Sequence, residues 1–169
     1  MMMSPSSLLT ADLCDLYEND AEHNLQVVAP ILKHFGGHTA FSGTVVTLSV
    51  KDDNAMVRAT LSRPGNAGVL VIDGAGSRAS ALLGGNLGQL AVDHGWAGVV
   101  VNGCVRDTQE LSALPLGVMA IASCPKRSAK AGVGTLNETV RFGGVTFSSG
   151  MFLVADADGV IVLNQYTPK

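Results

Sequence analysis

Aromatic side chains are scarce in this chain, at 5% with one tryptophan, and charged side chains make up only 15%. Lysine and arginine never cluster beyond the pair Lys126-Arg127, and the net charge is −3. Both shortages argue against a nucleic-acid surface, which needs a basic footprint or a base-stacking platform. Long apolar runs are also missing. None approaches the ~18–20 residues of a membrane helix. Residues 1–7 hold neither a basic region nor an apolar core, so no export signal is expected. The three cysteines, Cys14, Cys104 and Cys124, form no Cys-x-x-Cys pair. Neither a zinc site nor a disulfide framework is indicated, and a cytoplasmic location with reduced thiols is the simplest reading. The histidines His23, His34, His38 and His94 have no metal-ligand spacing.

What is present is apolar. Hydrophobic residues are 47% of 169, enough for one domain over residues 1–169 with a substantial core and buried subunit interfaces. Residues 8–17 read as a helix capped by Thr10, with Asp12 favourable to its dipole and Leu13, Leu16 and Tyr17 facing inward. Pro30 suits the first turn of a short helix. Residues 39–48 read as a strand, 54–61 as a short helix, and 68–73 as a strand buried on both faces.

The turn Gly74-Ala75-Gly76-Ser77-Arg78-Ala79 matches a loose dinucleotide-binding pattern if a helix follows. The acid that the pattern requires after the next strand is absent, since Asn102 stands there. A tight strand-to-helix turn is the favoured reading. Methyl transfer would have nothing else to rest on.

Gly84-Gly85 should break the chain, with Asn86 capping a helix over residues 87–94 and Gly95 ending it in a left-handed conformation. Residues 96–101 form the next buried strand, parallel to 68–73. It leads into Asn102-Gly103-Cys104-Val105-Arg106-Asp107, and a short helix begins at Asp107. Another strand lies within residues 114–122. Short strands follow at 138–142, 145–147, 151–155 and 160–163. Asp158-Gly159 is a hairpin turn. Asp156-Ala157-Asp158-Gly159 lacks the later acid of a calcium loop. The expected fold is α/β: a parallel βαβ core, a strand-rich C-terminal part and two stacked sheets.

The candidate site joins Gly84, Gly85, Asn86 and Leu87 to Arg106 and Asp107. Backbone amides at a helix start, with glycines that let an anion approach, suit a carboxylate. Arg106 can grip the same carboxylate through two parallel hydrogen bonds. Asp107 offers a hard oxygen to Mg²⁺ or Mn²⁺, which a 2-oxo acid would chelate. The ion would act as a Lewis acid toward the enolate left when a C–C bond breaks. On spacing alone, Arg106-Asp107 reads equally as a surface ion pair worth ~0–1 kcal/mol.

Taken together, Leu13-Cys14-Asp15-Leu16-Tyr17, Phe35-Gly36-Gly37, Gly84-Gly85-Asn86-Leu87, the run from Trp96 to Asp107, and Phe142-Gly143-Gly144-Val145-Thr146-Phe147 resemble the regulator of ribonuclease E activity A family. That family includes metal-dependent 4-hydroxy-4-methyl-2-oxoglutarate aldolases. Their signature is a glycine or aspartate, twenty residues, Arg-Asp, two residues and an acid. Gly85, Arg106-Asp107 and Glu110 match it.

The resemblance implies a swivelling β/β/α domain, a homotrimer with sites between subunits, and substrate on the 84–87 turn and Arg106. It implies a divalent metal on Asp107, and oxaloacetate decarboxylation as a secondary activity. Glu110 could hold a metal-bound water. The aldolases it resembles carry aspartate at the position of Gly85 and a longer C-terminal part with a further acid. The base for the 4-hydroxyl is then unassigned, and a metal-activated water could serve. The competing expectation is a regulator that binds and inhibits ribonuclease E without touching RNA, keeping a vestigial pocket.

Overall fold

A computed structural model describes residues 8–166. The segment 1–7, expected to carry no export signal, lies outside them. In chain order the elements are α1 (Thr10–Leu16), β1 (Gln26–Val27), β2 (Lys33–His34), β3 (Phe41–Ser49), α2 (Ala55–Leu61), β4 (Val69–Asp73), β5 (Ala81–Leu83) and α3 (Gly85–Asp93). Then come β6 (Gly98–Val105), α4 (Thr108–Ser112), β7 (Gly117–Ser123), β8 (Thr135–Leu136), β9 (Val140–Phe142), β10 (Val145–Phe147), β11 (Phe152–Asp156) and β12 (Gly159–Leu163).

Strand polarity follows from the sequence pattern. β4 and β6 are apolar without alternation, so both faces must be covered. Val69 and Val71 point into one core with Val45, Val100 and Met119. Leu70 and Ile72 point into the other with Val99, Val101, Val118 and Ala120. Helices α2 and α3 cover the second face through Val57, Leu61, Leu87 and Ala91, and α4 adds Leu111. The hairpin β9–β10 and strands β11 and β12 cover the first through Phe142, Phe147, Leu153 and Val162.

The β/β/α layering expected from the resemblance is therefore present, but the two β layers are not separate stacked sheets. One ten-stranded sheet runs β1-β12-β11-β3-β4-β6-β7-β2, with β5 attached to β6 and β8 to β3. The reason is the length of β3. Its first half pairs antiparallel with β11, and its second half pairs parallel with β4. One strand thus belongs to both layers, and the sheet curls around it. The curl brings His34 of β2 to β11, where its Nε2 donates to the Asp156 carbonyl at 2.8 Å. The strands β3, β4, β6 and β7 are parallel.

Several local expectations are corrected. No helix starts at Pro30; the chain there runs between β1 and β2, whose partners β12 and β7 supply the hydrogen bonds. The segment after Ala79 enters β5 rather than a helix. Thr10 is the first helical residue, not the cap. Leu16 is 68% exposed because α1 docks through Leu13. The cap of α1 comes from across the fold: Thr10 donates its amide and its hydroxyl to the two Asp156 carboxylate oxygens, each at 2.8 Å. Asp158 adds its amide at 2.9 Å across the expected hairpin turn.

Burial pushes the Asp156 carboxyl up, but these donors outweigh it and hold it below the usual carboxylate range. Stability from this group is complete above the unfolded value near ~3.9 and is lost as pH falls through the lower folded value. Asp156→Ala should cost about 2 kcal/mol at pH 7 by leaving buried donors unmet. Urea unfolding would show it as a lower midpoint at constant slope, with a shallower acid limb than the parent. An unchanged midpoint would show that α1 does not depend on this cap.

Candidate functional site

The site lies where β5 and β6 end. β5 runs parallel to β6, with Ala81 opposite Cys104 and Leu83 opposite Val105. The next residues of both strands therefore emerge side by side. From β5 come Gly84 and Gly85; from β6 come Arg106 and Asp107. The Arg106 amide donates to the Leu83 carbonyl at 2.9 Å and closes the pairing.

Gly84 caps α3, and Gly85 is already helical. Asn86 was expected to be the cap but sits in the first turn. Its partner Gln89 donates instead to Asp93 Oδ1 at 2.8 Å. A glycine cap brings no side-chain oxygen, and Asp107 supplies one. Asp107 adopts a left-handed conformation, φ 55° and ψ 46°, at the cap position of α4. That turns its carboxylate back so that Oδ2 accepts the Gly85 amide at 2.9 Å. A β-carbon on Gly84 would stand 2.7 Å from Asp107 Oδ2, and one on Gly85 would overlap Glu110 Oε2. Glycine at both positions leaves the room into which two carboxylates close on the start of α3. Gly95 takes the expected left-handed conformation past the far end of α3.

The structure thus brings together Gly84, Gly85, Asn86, Arg106, Asp107 and Glu110. Leu87 contributes only backbone, because its side chain is buried in the helix-side core. Asn86, Asp107 and Glu110 are exposed and Arg106 is half-buried. Arg106 Nη1 donates to the Pro125 carbonyl at 3.4 Å, leaving most of its fork unused. Arg106 and Asp107 do not form the surface ion pair that spacing alone allowed.

Among the described residues no three His, Cys, Asp or Glu side chains converge to hold a metal ion. Asp107 has one oxygen engaged and one free, and Glu110 lies against the same turn. Two carboxylates with water completing the shell suit Mg²⁺ or Mn²⁺, which keep several waters. The donor set fits.

The other candidates have ordinary roles. His94 Nδ1 donates to the Leu90 carbonyl at 2.9 Å, and His23 stacks on Tyr17 at 4.3 Å. Cys104 is buried, and burial pushes its thiol up, away from reactivity. At the Gly74–Ala79 turn Asp73 Oδ1 accepts the Ala75 amide and the Asn102 side chain, and no helix follows to receive a phosphate.

Sequence reasoning missed one part of the site. The segment 124–131 passes beside Arg106, and two aspartates fix it. Asp53 accepts the amides of Ala131 and Gly132 through its carboxylate, and the Asp52 carbonyl accepts the Ala129 amide. The adjacent acids Asp52-Asp53 carry no sign of this role in the sequence.

Residues 10–162 match the family described as RraA-like: Aldolase/RraA. The chain belongs to the RraA-like family. A Laribacter hongkongensis protein named "Putative 4-hydroxy-4-methyl-2-oxoglutarate aldolase" is 53% identical over 153 residues, covering 90% of this chain and 94% of its own. The solved structure of the RNA-processing inhibitor RraA from Thermus thermophilis aligns at TM-score 0.90 and 45% identity, covering 95% of both chains. A Geobacillus kaustophilus structure described as an S-adenosylmethionine: 2-dimethylmenaquinone methyltransferase aligns at TM-score 0.88 and 45% identity, covering 94% of this chain and 96% of that one. Among the described residues no helix is long and apolar enough to cross a membrane.

The glycines can be tested separately. Gly85→Ala should leave the thermal midpoint nearly unchanged, because the exposed Glu110 end can swing away. Gly88→Ala should cost about 1–3 kcal/mol, since its β-carbon would stand 2.7 Å from Leu111 Cδ2 and 2.9 Å from Leu114 Cδ1 in the α3–α4 contact. Equal losses in the two variants would contradict this placement of Glu110.

Proposed function

We propose that this RraA-like chain is a divalent-metal-dependent lyase acting on 2-oxo acids. Its principal reaction is retro-aldol cleavage of 4-hydroxy-4-methyl-2-oxoglutarate to two pyruvates. Oxaloacetate decarboxylation to pyruvate is the secondary reaction. The observation that carries this reading is the convergence of a nine-residue helix start, a largely free guanidinium and two carboxylates at one sheet edge. A protein-binding module has no evident need for that set. The names of the relatives point the same way.

In this reading Arg106 and the start of α3 at the exposed Asn86, one residue past the amide that Asp107 takes, hold the C1 carboxylate and fix the 2-oxo group over Asp107. Asp107 and Glu110 would hold the metal and its water. When bound, the ion supplies Lewis acidity toward the 2-oxo group. Cleavage breaks the C3–C4 bond; C3 gains a proton, and the 4-hydroxyl loses one. Oxaloacetate has no 4-hydroxyl to deprotonate, so its decarboxylation is the less demanding reaction here. The assembly proposed is a homotrimer with sites between subunits, in the cytoplasm.

The likeness to the Thermus inhibitor favours a second reading, in which the chain binds and inhibits ribonuclease E. The two readings separate at one residue. Pyruvate release from both substrates in Mg²⁺ should fall by about a hundredfold or more in Asp107→Ala and vanish with chelator. Arg106→Lys should raise KM, because the fork is lost while the charge stays. No turnover above that of the metal in buffer would overturn the lyase and leave the regulator. The regulator predicts unaltered ribonuclease binding by Asp107→Ala.

A further inference from the structure

Arg106 needs more than its charge to grip a carboxylate. Two parallel hydrogen bonds require the guanidinium plane to be set, and a free arginine side chain loses rotamer freedom when it binds. The backbone here is fixed on both sides. The Arg106 amide donates to the Leu83 carbonyl, and the preceding Val105 carbonyl accepts the Cys124 amide, each at 2.9 Å. The guanidinium makes a single hydrogen bond among the described residues: Nη1 donates to the Pro125 carbonyl at 3.4 Å. No carboxylate among them pairs with it. That bond leaves the edge made by Nε and Nη2. Nε lies 3.5 Å from where a β-carbon on Gly84 would stand, so the free edge borders the start of α3.

Pro125 is exposed and has no amide hydrogen, so its carbonyl is placed by its neighbours. The residues after it are tied to β5. The Lys126 carbonyl accepts the Ala81 amide at 2.7 Å, and the Ser128 hydroxyl donates to the Ala81 carbonyl, also at 2.7 Å. Between them Arg127 pairs in parallel with Ala81. Ser128 is 4% exposed. Ser80 lies 2.9 Å from its hydroxyl and donates to Asp52 Oδ1 at the same distance. A hydroxyl buried this deeply is costly unless bonded, and this one bonds the strand that leads into Gly84. The stretch that orients Arg106 and the turn that starts α3 are therefore both registered on Ala81.

We infer that Ser128 is a positioning residue for substrate binding. By tying residues 126–128 to Ala81 it sets the Pro125 carbonyl, which orients the Arg106 guanidinium toward the C1 carboxylate. The inference rests on the proposed site and adds to it a residue that does not touch substrate.

The test is calorimetric titration of the full-length chain in Mg²⁺ with 2-oxopentanoate, a 2-oxo acid with one carboxylate. Ser128→Ala should weaken binding about fivefold, because the guanidinium regains its freedom. KM for oxaloacetate should rise by a similar factor, with kcat within about twofold. Ser80→Ala removes a hydroxyl from the same buried cluster but leaves the Ala81 carbonyl its partner, so it should bind as the parent does. Added to Arg106→Lys, Ser128→Ala should change affinity by less than about twofold, since the group it positions is gone. Pro125→Gly loosens the same carbonyl from an exposed position without disturbing the buried hydroxyls, and should weaken binding as Ser128→Ala does. Parental affinity in either Ser128→Ala or Pro125→Gly would overturn the inference. So would equal weakening by Ser80→Ala, or a Ser128→Ala effect undiminished in Arg106→Lys. In each of those cases the Arg106 site stands provided that Arg106→Lys alone binds more weakly than the parent. If 2-oxopentanoate does not bind the parent, the proposed site fails along with the inference.

Discussion

The burial of four parallel strands on both faces is the constraint from which the rest of this molecule follows. β3, β4, β6 and β7 alternate their valines and leucines between two cores, and nearly all of those side chains are fully buried. A sheet with two apolar faces needs two covers. The helices form one. The other is the continuation of the same sheet, possible because β3 is long enough to pair with β4 along one half and β11 along the other. A parallel ladder also gathers the carboxyl ends of its strands at one edge. Arg106, Asp107, the start of α3 and the segment 124–131 all lie there.

At that edge polar groups have few neighbours to satisfy them, and the chain uses its own side chains. Gly84 holds the cap position of α3 without a side-chain oxygen, and Asp107, in a left-handed conformation, supplies one. That backbone region is costly for a residue other than glycine, although aspartate tolerates it better than most. Asp156 does for α1 what Asp107 does for α3, again from a distant part of the chain. In both cases a helix start is completed by a carboxylate from another strand's end. Helix placement and sheet curl are thereby coupled.

This coupling explains what was legible in the sequence. β4, β6, the Asp158-Gly159 turn and the left-handed Gly95 were readable because their signals are local: an apolar run, a turn dipeptide, a glycine after a helix. The pairing of Gly84–Leu87 with Arg106-Asp107 was readable from the span between them. The caps were not. Thr10 and Asn86 are good cap residues by composition, but the carboxylates that serve are 146 and 22 residues away from their partners. The Pro30 segment was misread because its hydrogen bonds come from strands across the fold. β5 is three residues long and has no periodicity to detect. The segment 124–131 was missed because its order is imposed by Asp52 and Asp53, which look like an ordinary turn in the sequence.

Gly85 is the departure that set this chain apart from the aldolases it resembles, and the geometry gives that departure a physical content. The space a side chain at position 85 would enter holds the Glu110 carboxylate. An aspartate at 85 and a glutamate at 110 in its present place exclude each other. Glycine at 85 is therefore not merely the absence of an acid. It admits the acid of α4 to the start of α3, one turn beyond Asp107. A carboxylate is supplied to the same region from a different element, with a longer and more mobile arm. A side chain at 85 would displace that arm, so where the signature carries acids at both positions the one on α4 has to sit elsewhere.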